Sequence, residues 1–153
     1  MKEIFETEDG KGTERLGEYF GRNARAGDIF CLDGDLGTGK TVFAQGFAKG
    51  LEIRDIINSP TFTILSEHTD GRLPLYHFDV YRIGDPGEMD ELGYEEYFYG
   101  DGVTIIEWAS LIEELLPKEA VRIVLAKDPG KGFDYRKITV CDNREERHAD
   151  SRN

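Results

Sequence analysis

Residues Gly34-Asp-Leu-Gly-Thr-Gly-Lys-Thr41 constrain this chain more than any other stretch. They fit the pattern G-x-x-x-x-G-K-[ST], a loop whose glycines let the backbone curl until successive N–H groups point at one anion. The flanks agree with that reading. Asp28-Ile-Phe-Cys-Leu32 is an apolar run too short for a helix and suited to a parallel strand buried on both faces. From Thr41 to Leu51, residues Val42, Phe43, Phe47 and Leu51 recur at helical spacing. Residues 28–51 therefore predict strand, phosphate-binding loop and helix, with the helix start adding its partial positive charge. Given this chain's own glycine, lysine and Ser/Thr content, an accidental match has a probability on the order of 1%.

The pattern makes Asp35, Leu36, Gly37, Thr38, Gly39, Lys40, Thr41 and Val42 the candidate phosphate-binding set. In such loops the lysine reaches the β- and γ-phosphates and the Ser/Thr hydroxyl ligates Mg²⁺. An acidic residue at the end of a neighbouring apolar strand is also needed. Glu107 closes Val103-Thr-Ile-Ile106, and Asp79 closes Leu75-Tyr-His-Phe78. A carboxylate at a strand end is more commonly just solvated, but with this loop in the same chain each is read as a candidate for the metal or its water. Asn58-Ser-Pro-Thr61-Phe62 lies where nucleotide hydrolases often carry a threonine that senses the γ-phosphate. The same residues also read as a plain turn into a strand, and composition does not separate the two.

Elsewhere, Ile4-Phe5 suggests a short edge strand, and Leu16, Tyr19 and Phe20 a helix over Thr13 to Ala24 with Thr13 as N-cap. Thr61 to His68 and Leu73 to Arg82 read as strands of a hairpin turning at Asp70-Gly71. Pro86 to Phe98 is acidic and aromatic, with one or two short helical turns expected. Its Tyr94 to Tyr99 cluster suits either core packing or a partner surface. Ser110 to Leu116 reads as helical, and Ala120 to Ala126 and Phe133 to Cys141 as strands joined by the turn 128–132. The expected fold is a single α/β domain over residues 1–142, three-layered and P-loop NTPase-like, its mixed sheet containing an inserted antiparallel hairpin. Residues 143–153 are charged and read as a disordered tail.

Charge narrows the partners. With 19 basic and 31 acidic side chains, the net charge is −12. Such a surface opposes unaided binding to a phosphate backbone. No apolar run approaches the roughly 18 residues of a membrane span. The start, MKEIFETEDG, lacks an apolar signal core, so a cytoplasmic location is the expectation. Cys31 and Cys141 have no metal-type or redox-type spacing, and Cys31 reads as a small core residue. His68, His77 and His148 form no sequence cluster.

Taken in order, the loop, Ser59-Pro-Thr-Phe62, Tyr76-His-Phe-Asp-Val-Tyr-Arg82, Asp90-Glu-Leu-Gly93 and Ile106-Glu-Trp108 resemble the TsaE (YjeE) family from about Thr13 to Cys141. The resemblance implies ATP and Mg²⁺ as ligands and slow hydrolysis without partners. It also implies work beside the TsaB–TsaD pair in making threonylcarbamoyladenosine at adenosine 37 of tRNA, with tRNA touched only indirectly. It assigns Gly37 to Thr41 to the phosphates, with Lys40 among them, and Thr41 and Glu107 to the Mg²⁺. Asp79 goes beside the metal and attacking water, Thr61 to the γ-phosphate region, and Trp108 next to the metal-binding glutamate. Adenine contacts would fall near Gly10 to Thr13 and near Lys131-Gly132. Arg82 reads either as a charge-stabilising arginine or as an ion-pair residue.

Three other readings share the loop. A small-molecule kinase usually closes an arginine-bearing lid, whereas Gly84 to Gly100 here is acidic. A GTP switch usually carries Asn-Lys-x-Asp, and no asparagine in this chain precedes a lysine. A non-catalytic nucleotide-binding subunit has the same sequence signature as a slow ATPase.

Overall fold

The structure, a computed structural model, describes residues 1–55, 57, 58, 60 and 63–144. Phe30 and Leu32 point to one side of β2 (Ile29–Asp33) and Ile29 and Cys31 to the other, and all four are buried. This double burial is why the segment is a continuous apolar run rather than an alternating one. Its neighbours are β5 (Val103–Glu107) and β6 (Val121–Lys127), both parallel to it, and β4 (Leu75–Asp79) lies parallel to β5. The flanks are antiparallel: β3 (Leu65–His68) pairs with β4, while β7 (Arg136–Asp142) pairs with β6 and β1 (Lys2–Thr7) with β7. Among the described residues the order is β1-β7-β6-β2-β5-β4-β3. The expected mixed sheet and three layers are present.

One layer is the helix pair α1 (Gly10–Arg22) and α2 (Lys40–Gly50), packed on Phe30, Leu32 and Ile105 through Phe20, Phe43 and Phe47. The two helices come close because both present glycines. A Cβ at Gly17 would stand 2.2 Å from Phe43 O, and one at Gly46 would stand 1.9 Å from Glu14 O. On the opposite face, α3 (Glu88–Leu92), α4 (Tyr94–Phe98) and a 3₁₀ segment (Ala109–Leu115) bury Met89, Phe98 and Ile112 against Cys31, Phe78 and Ile106. Tyr97 and Phe98 meet Phe78 edge-on, so the aromatic cluster is mainly core, with Tyr99 left 66% exposed.

Several boundaries differ from the sequence reading. The N-cap of α1 is Asp9, whose Oδ1 accepts the Gly12 N–H at 2.8 Å, and Thr13 instead lies buried inside the helix, hydrogen-bonded to Thr7. The first turn, Gly-Lys-Gly-Thr, has no apolar residue by which periodicity could reveal it. Strand β3 starts only at Leu65, because Ile64 N–H turns back to Pro60 O at 2.7 Å. The segment joining β3 to β4 is longer than a two-residue turn. In it Asp70 accepts the Arg54 N–H and Gly71 packs under Leu51 O, so both hold that segment against the end of α2. The helix expected over Ser110 to Leu116 is instead the 3₁₀ segment Ala109–Leu115, broken at Ile112, with Leu116 already extended. The charged tail was expected to begin at 143, yet Asn143 bonds Ala120 O and Arg144 pairs with Asp28 and Asp142. The remainder of that tail lies outside the described residues.

Candidate functional site

The site sits at the carboxyl ends of β2, β5 and β4, where open α/β sheets bind ligands. Strand β2 ends and the chain curls through Gly37 (φ +77°) and Gly39 (φ +102°), left-handed values that glycine adopts without a Cβ clash. Thr38 closes the curl from inside, its hydroxyl donating to Asp35 O at 2.9 Å. Arg136 closes it from outside, Nε donating to Thr38 O at 2.9 Å and Nη2 to Gly37 O at 3.2 Å. Helix α2 then begins at Lys40.

Lys40 is 5% exposed and its Nζ donates to Gly34 O at 2.6 Å and Asp35 O at 2.9 Å. The ammonium also lies 3.9 Å from the centroid of the Trp108 ring. Burial pulls its pKa below the ordinary lysine value, opposed by the carboxylates of Glu107, Asp33, Asp79 and Asp35. Next to it, Thr41 Oγ1 donates to Glu107 Oε1 at 3.0 Å. The other carboxylate oxygen, Oε2, is 2.6 Å from His77 Nε2. Asp79 stands opposite Glu107 in the β4–β5 register and accepts the Tyr81 N–H at 3.0 Å. A cavity of about 550 Å³ joins these groups, lined by Gly37, Lys40, Thr41, Asp79, Glu107 and Trp108 among others. A few hundred Å³ is the size of a small-molecule or nucleotide cleft.

Of the residues named from sequence, Leu36, Gly37, Gly39, Lys40, Thr41, Val42, Asp79, Arg82 and Glu107 all line this one cavity. Asp35 and Thr38 shape the loop through their carbonyl and hydroxyl groups instead. Thr61 lies outside the described residues. Of the two regions named for a base, Gly10 to Thr13 and Lys131-Gly132, the first approaches the loop through Thr13, whereas Lys131 pairs with Glu6 on β1. Thr13 Cγ2 would be 3.7 Å from a Cβ on Gly39, and Lys131 Nζ is 3.6 Å from Glu6 at the start of the chain. Three residues escaped the sequence reading. His77 falls in the Tyr76–Arg82 segment of the family resemblance, but no role is given to it there. Arg136 lies far along the chain from the loop it holds. Lys127 ends β6 with its Nζ 3.4 Å from where a Gly37 Cβ would stand. No local pattern says that any of them will meet the loop or its carboxylate.

Chemically, the arrangement offers a buried ammonium, an N-terminal helix end, and one hydroxyl beside one carboxylate oxygen. The first two suit phosphate oxygens. The last two are hard oxygen donors of the kind Mg²⁺ takes. Among the described residues no group of three or more His, Cys, Asp or Glu side chains is gathered as a closed metal cage.

A glycine-rich loop of the pattern G-x-x-x-x-G-K-[ST] between a buried parallel strand and its helix, at the carboxyl edge of a mixed sheet, defines the P-loop NTPase-like fold class. Within that class, the family model described as threonylcarbamoyl adenosine biosynthesis protein TsaE matches residues 7–138, and the chain belongs to this family. It is 49% identical over 140 residues to the tRNA threonylcarbamoyladenosine biosynthesis protein TsaE of Bacillus subtilis, covering 91% of this chain and 85% of that one. With the Treponema pallidum protein of the same name it shares 43% over 113 residues, covering 74% and 83%. The crystal structure of Bacillus subtilis YdiB superposes with a TM-score of 0.82 at 42% identity, over 97% of this chain and 90% of that one.

Proposed function

We propose that this chain binds Mg·ATP in the loop cavity and hydrolyses it slowly in support of threonylcarbamoyladenosine formation on tRNA. Turnover is coupled to the TsaB–TsaD pair. The observation that carries the reading is the Thr41–Glu107 contact at 3.0 Å, made at the first turn of the helix that follows the loop.

The buried ammonium of Lys40 rests on two carbonyls and a ring face, none of them a full charge. Phosphate oxygens offer that charge, so exchanging carbonyls for phosphate favours binding. Thr41 and Glu107 are the residues that would hold Mg²⁺, which usually completes its shell with phosphate oxygens and water. When bound, the ion neutralises charge that builds on the transferring phosphoryl group. Asp79, on the strand beside Glu107, is about 5 Å away across the sheet, close enough to orient an attacking water. Thr61 keeps its γ-phosphate role on the family resemblance. A net charge of −12 leaves contact with tRNA to the partner proteins.

Phosphoryl transfer to a small molecule is the weaker reading. A kinase lid must swing, whereas the acidic stretch after Gly84 is anchored in the core by Met89 at 0% and Phe98 at 1% exposure. Steady-state ATP hydrolysis with and without the TsaB–TsaD pair tests the proposal, with Lys40→Ala as the blank. A slow intrinsic rate, raised at least tenfold by the pair and lost in Lys40→Ala, is the expected result. Unchanged turnover in Lys40→Ala would sink the assignment. A flat rate with and without the pair would favour a nucleotide-binding subunit that does not turn over.

A further inference from the structure

His77 is fully buried in β4, and Glu107, buried on the neighbouring strand, is 2% exposed. They sit two residues apart in register on one face of the β4–β5 pair, since His77 faces Ile105 and Asp79 faces Glu107. The imidazole Nε2 meets Glu107 Oε2 at 2.6 Å while Glu107 Oε1 takes the Thr41 hydroxyl at 3.0 Å. Thus each oxygen of one carboxylate has its own partner, and the partners lie on different elements. The other ring nitrogen, His77 Nδ1, is buried and has no hydrogen-bond partner among the described residues. Leaving a buried ring nitrogen unpaired costs stability, and an apolar side chain of similar shape would avoid that cost. The polar function of His77 is therefore spent on Glu107 alone.

We propose that His77 is a positioning residue that fixes Glu107 as a one-oxygen donor beside Thr41, setting the site's affinity for a divalent cation and its preference for Mg²⁺ over Ca²⁺. The proposal rests on the Mg²⁺ reading of the preceding section. With Oε2 occupied by the imidazole, Glu107 cannot chelate through both oxygens. Ca²⁺ accommodates bidentate carboxylates in a loose shell, whereas Mg²⁺ needs a compact octahedron of single oxygens. Hydrogen bonds to a ligating group also hold it in the orientation it needs when the ion arrives, and losing them typically weakens metal binding 10–100-fold.

Binding of ADP to the full chain, followed by calorimetry in chelator and then against increasing Mg²⁺ or Ca²⁺, separates metal from nucleotide affinity. His77→Leu should raise the half-saturating Mg²⁺ concentration about 10–100-fold. ADP binding in chelator should stay within about twofold of wild type, and the Mg²⁺ advantage over Ca²⁺ should shrink. His77→Gln, which keeps an N–H donor near the Nε2 position, should restore most of the Mg²⁺ affinity. In a Glu107→Ala background, His77→Leu should add nothing further. A folded His77→Leu that titrates like wild type, or that weakens metal-free ADP binding in the same proportion, would overturn the positioning role. Should His77→Leu not fold, His77→Asn, whose amide falls short of Glu107, is read by the same criteria. If instead Glu107→Ala leaves the metal dependence unchanged, the Mg²⁺ reading itself fails, a result distinct from failure at His77.

Discussion

Trp108 holds a left-handed backbone at φ +63°, a conformation that costs a bulky residue about 1–2 kcal/mol. Three contacts hold it there. Its N–H donates to Leu32 O at 2.9 Å, its ring packs 4.6 Å from Tyr81, and its face receives the Lys40 ammonium. The strained residue immediately follows Glu107, so the chain leaves the sheet at the point where that carboxylate faces Thr41. Cys31, on the strand next to that corner and opposite Ile106, shows the opposite case of a residue with packing and no chemistry. Burial pushes its thiol from 9.0 up to about 12. Because its folded pKa is raised, the neutral thiol's contribution to stability is complete below about pH 9 and declines as pH rises toward 12. We expect Cys141, which is half-buried, to react with a thiol reagent at pH 8 while Cys31 stays unmodified until the protein unfolds. Mass-spectrometric mapping of the modified cysteine checks this, and labelling of native Cys31 would contradict it. Lys40 and Thr41 could be read from sequence because their partners in the pattern are within six residues. His77 could not, because nothing about a histidine in a strand says which neighbour it will meet.

At the scale of elements, the helix pair depends on what its residues lack. Gly17 and Gly21 on α1 and Gly46 and Gly50 on α2 let the backbones touch, and Cβ atoms there would stand 1.9–2.3 Å from carbonyl oxygens. Gly46→Ala must push α1 away from α2, so we expect a loss of about 3 kcal/mol or more, read from urea unfolding. Gly10→Ala is the control. It lies at the start of α1 with nothing within 4 Å of its Cβ, and should be neutral or stabilise by up to about 1 kcal/mol. Equal losses at both positions would point to glycine's general effect on helices rather than to the close approach. Element identity was readable wherever burial imposed a period: the run at 28–32, the helix after the loop, the strand at 103–107. It failed at boundaries set by polar backbone partners, such as the Asp9 cap and the turn at Ile64. Those depend on single hydrogen bonds that leave no periodic trace.

For the molecule as a whole, the C-terminal edge is tied back to the sheet centre. Arg144 Nη1 reaches Asp28 Oδ2 at 2.9 Å, the Asp28 side chain is fully buried, and the Arg25 N–H donates to the same oxygen at 2.8 Å. Removing the guanidinium takes one cation away from a buried carboxylate. Arg144→Ala should therefore cost about 2–4 kcal/mol in a urea denaturation series, against a negligible change for a fully exposed arginine. A cost below about 0.5 kcal/mol would mean the pair behaves as a surface bridge.

By itself the sequence determined the loop, its flanking strand and helix, the alternation of apolar segments and the family resemblance. Each of these is written in residues close together in the chain, where local sterics and burial period decide the outcome. Which side chains would share the cavity was decided only by the sheet order β6-β2-β5-β4. That order puts β5 beside β2 although they are more than 60 residues apart, and so places Glu107 against Thr41 and His77 against Glu107. Arg136 likewise meets the loop only because β7 folds back along β6. Such pairings come from burying whole strand faces at once, a property of the assembled sheet that no short window of sequence contains.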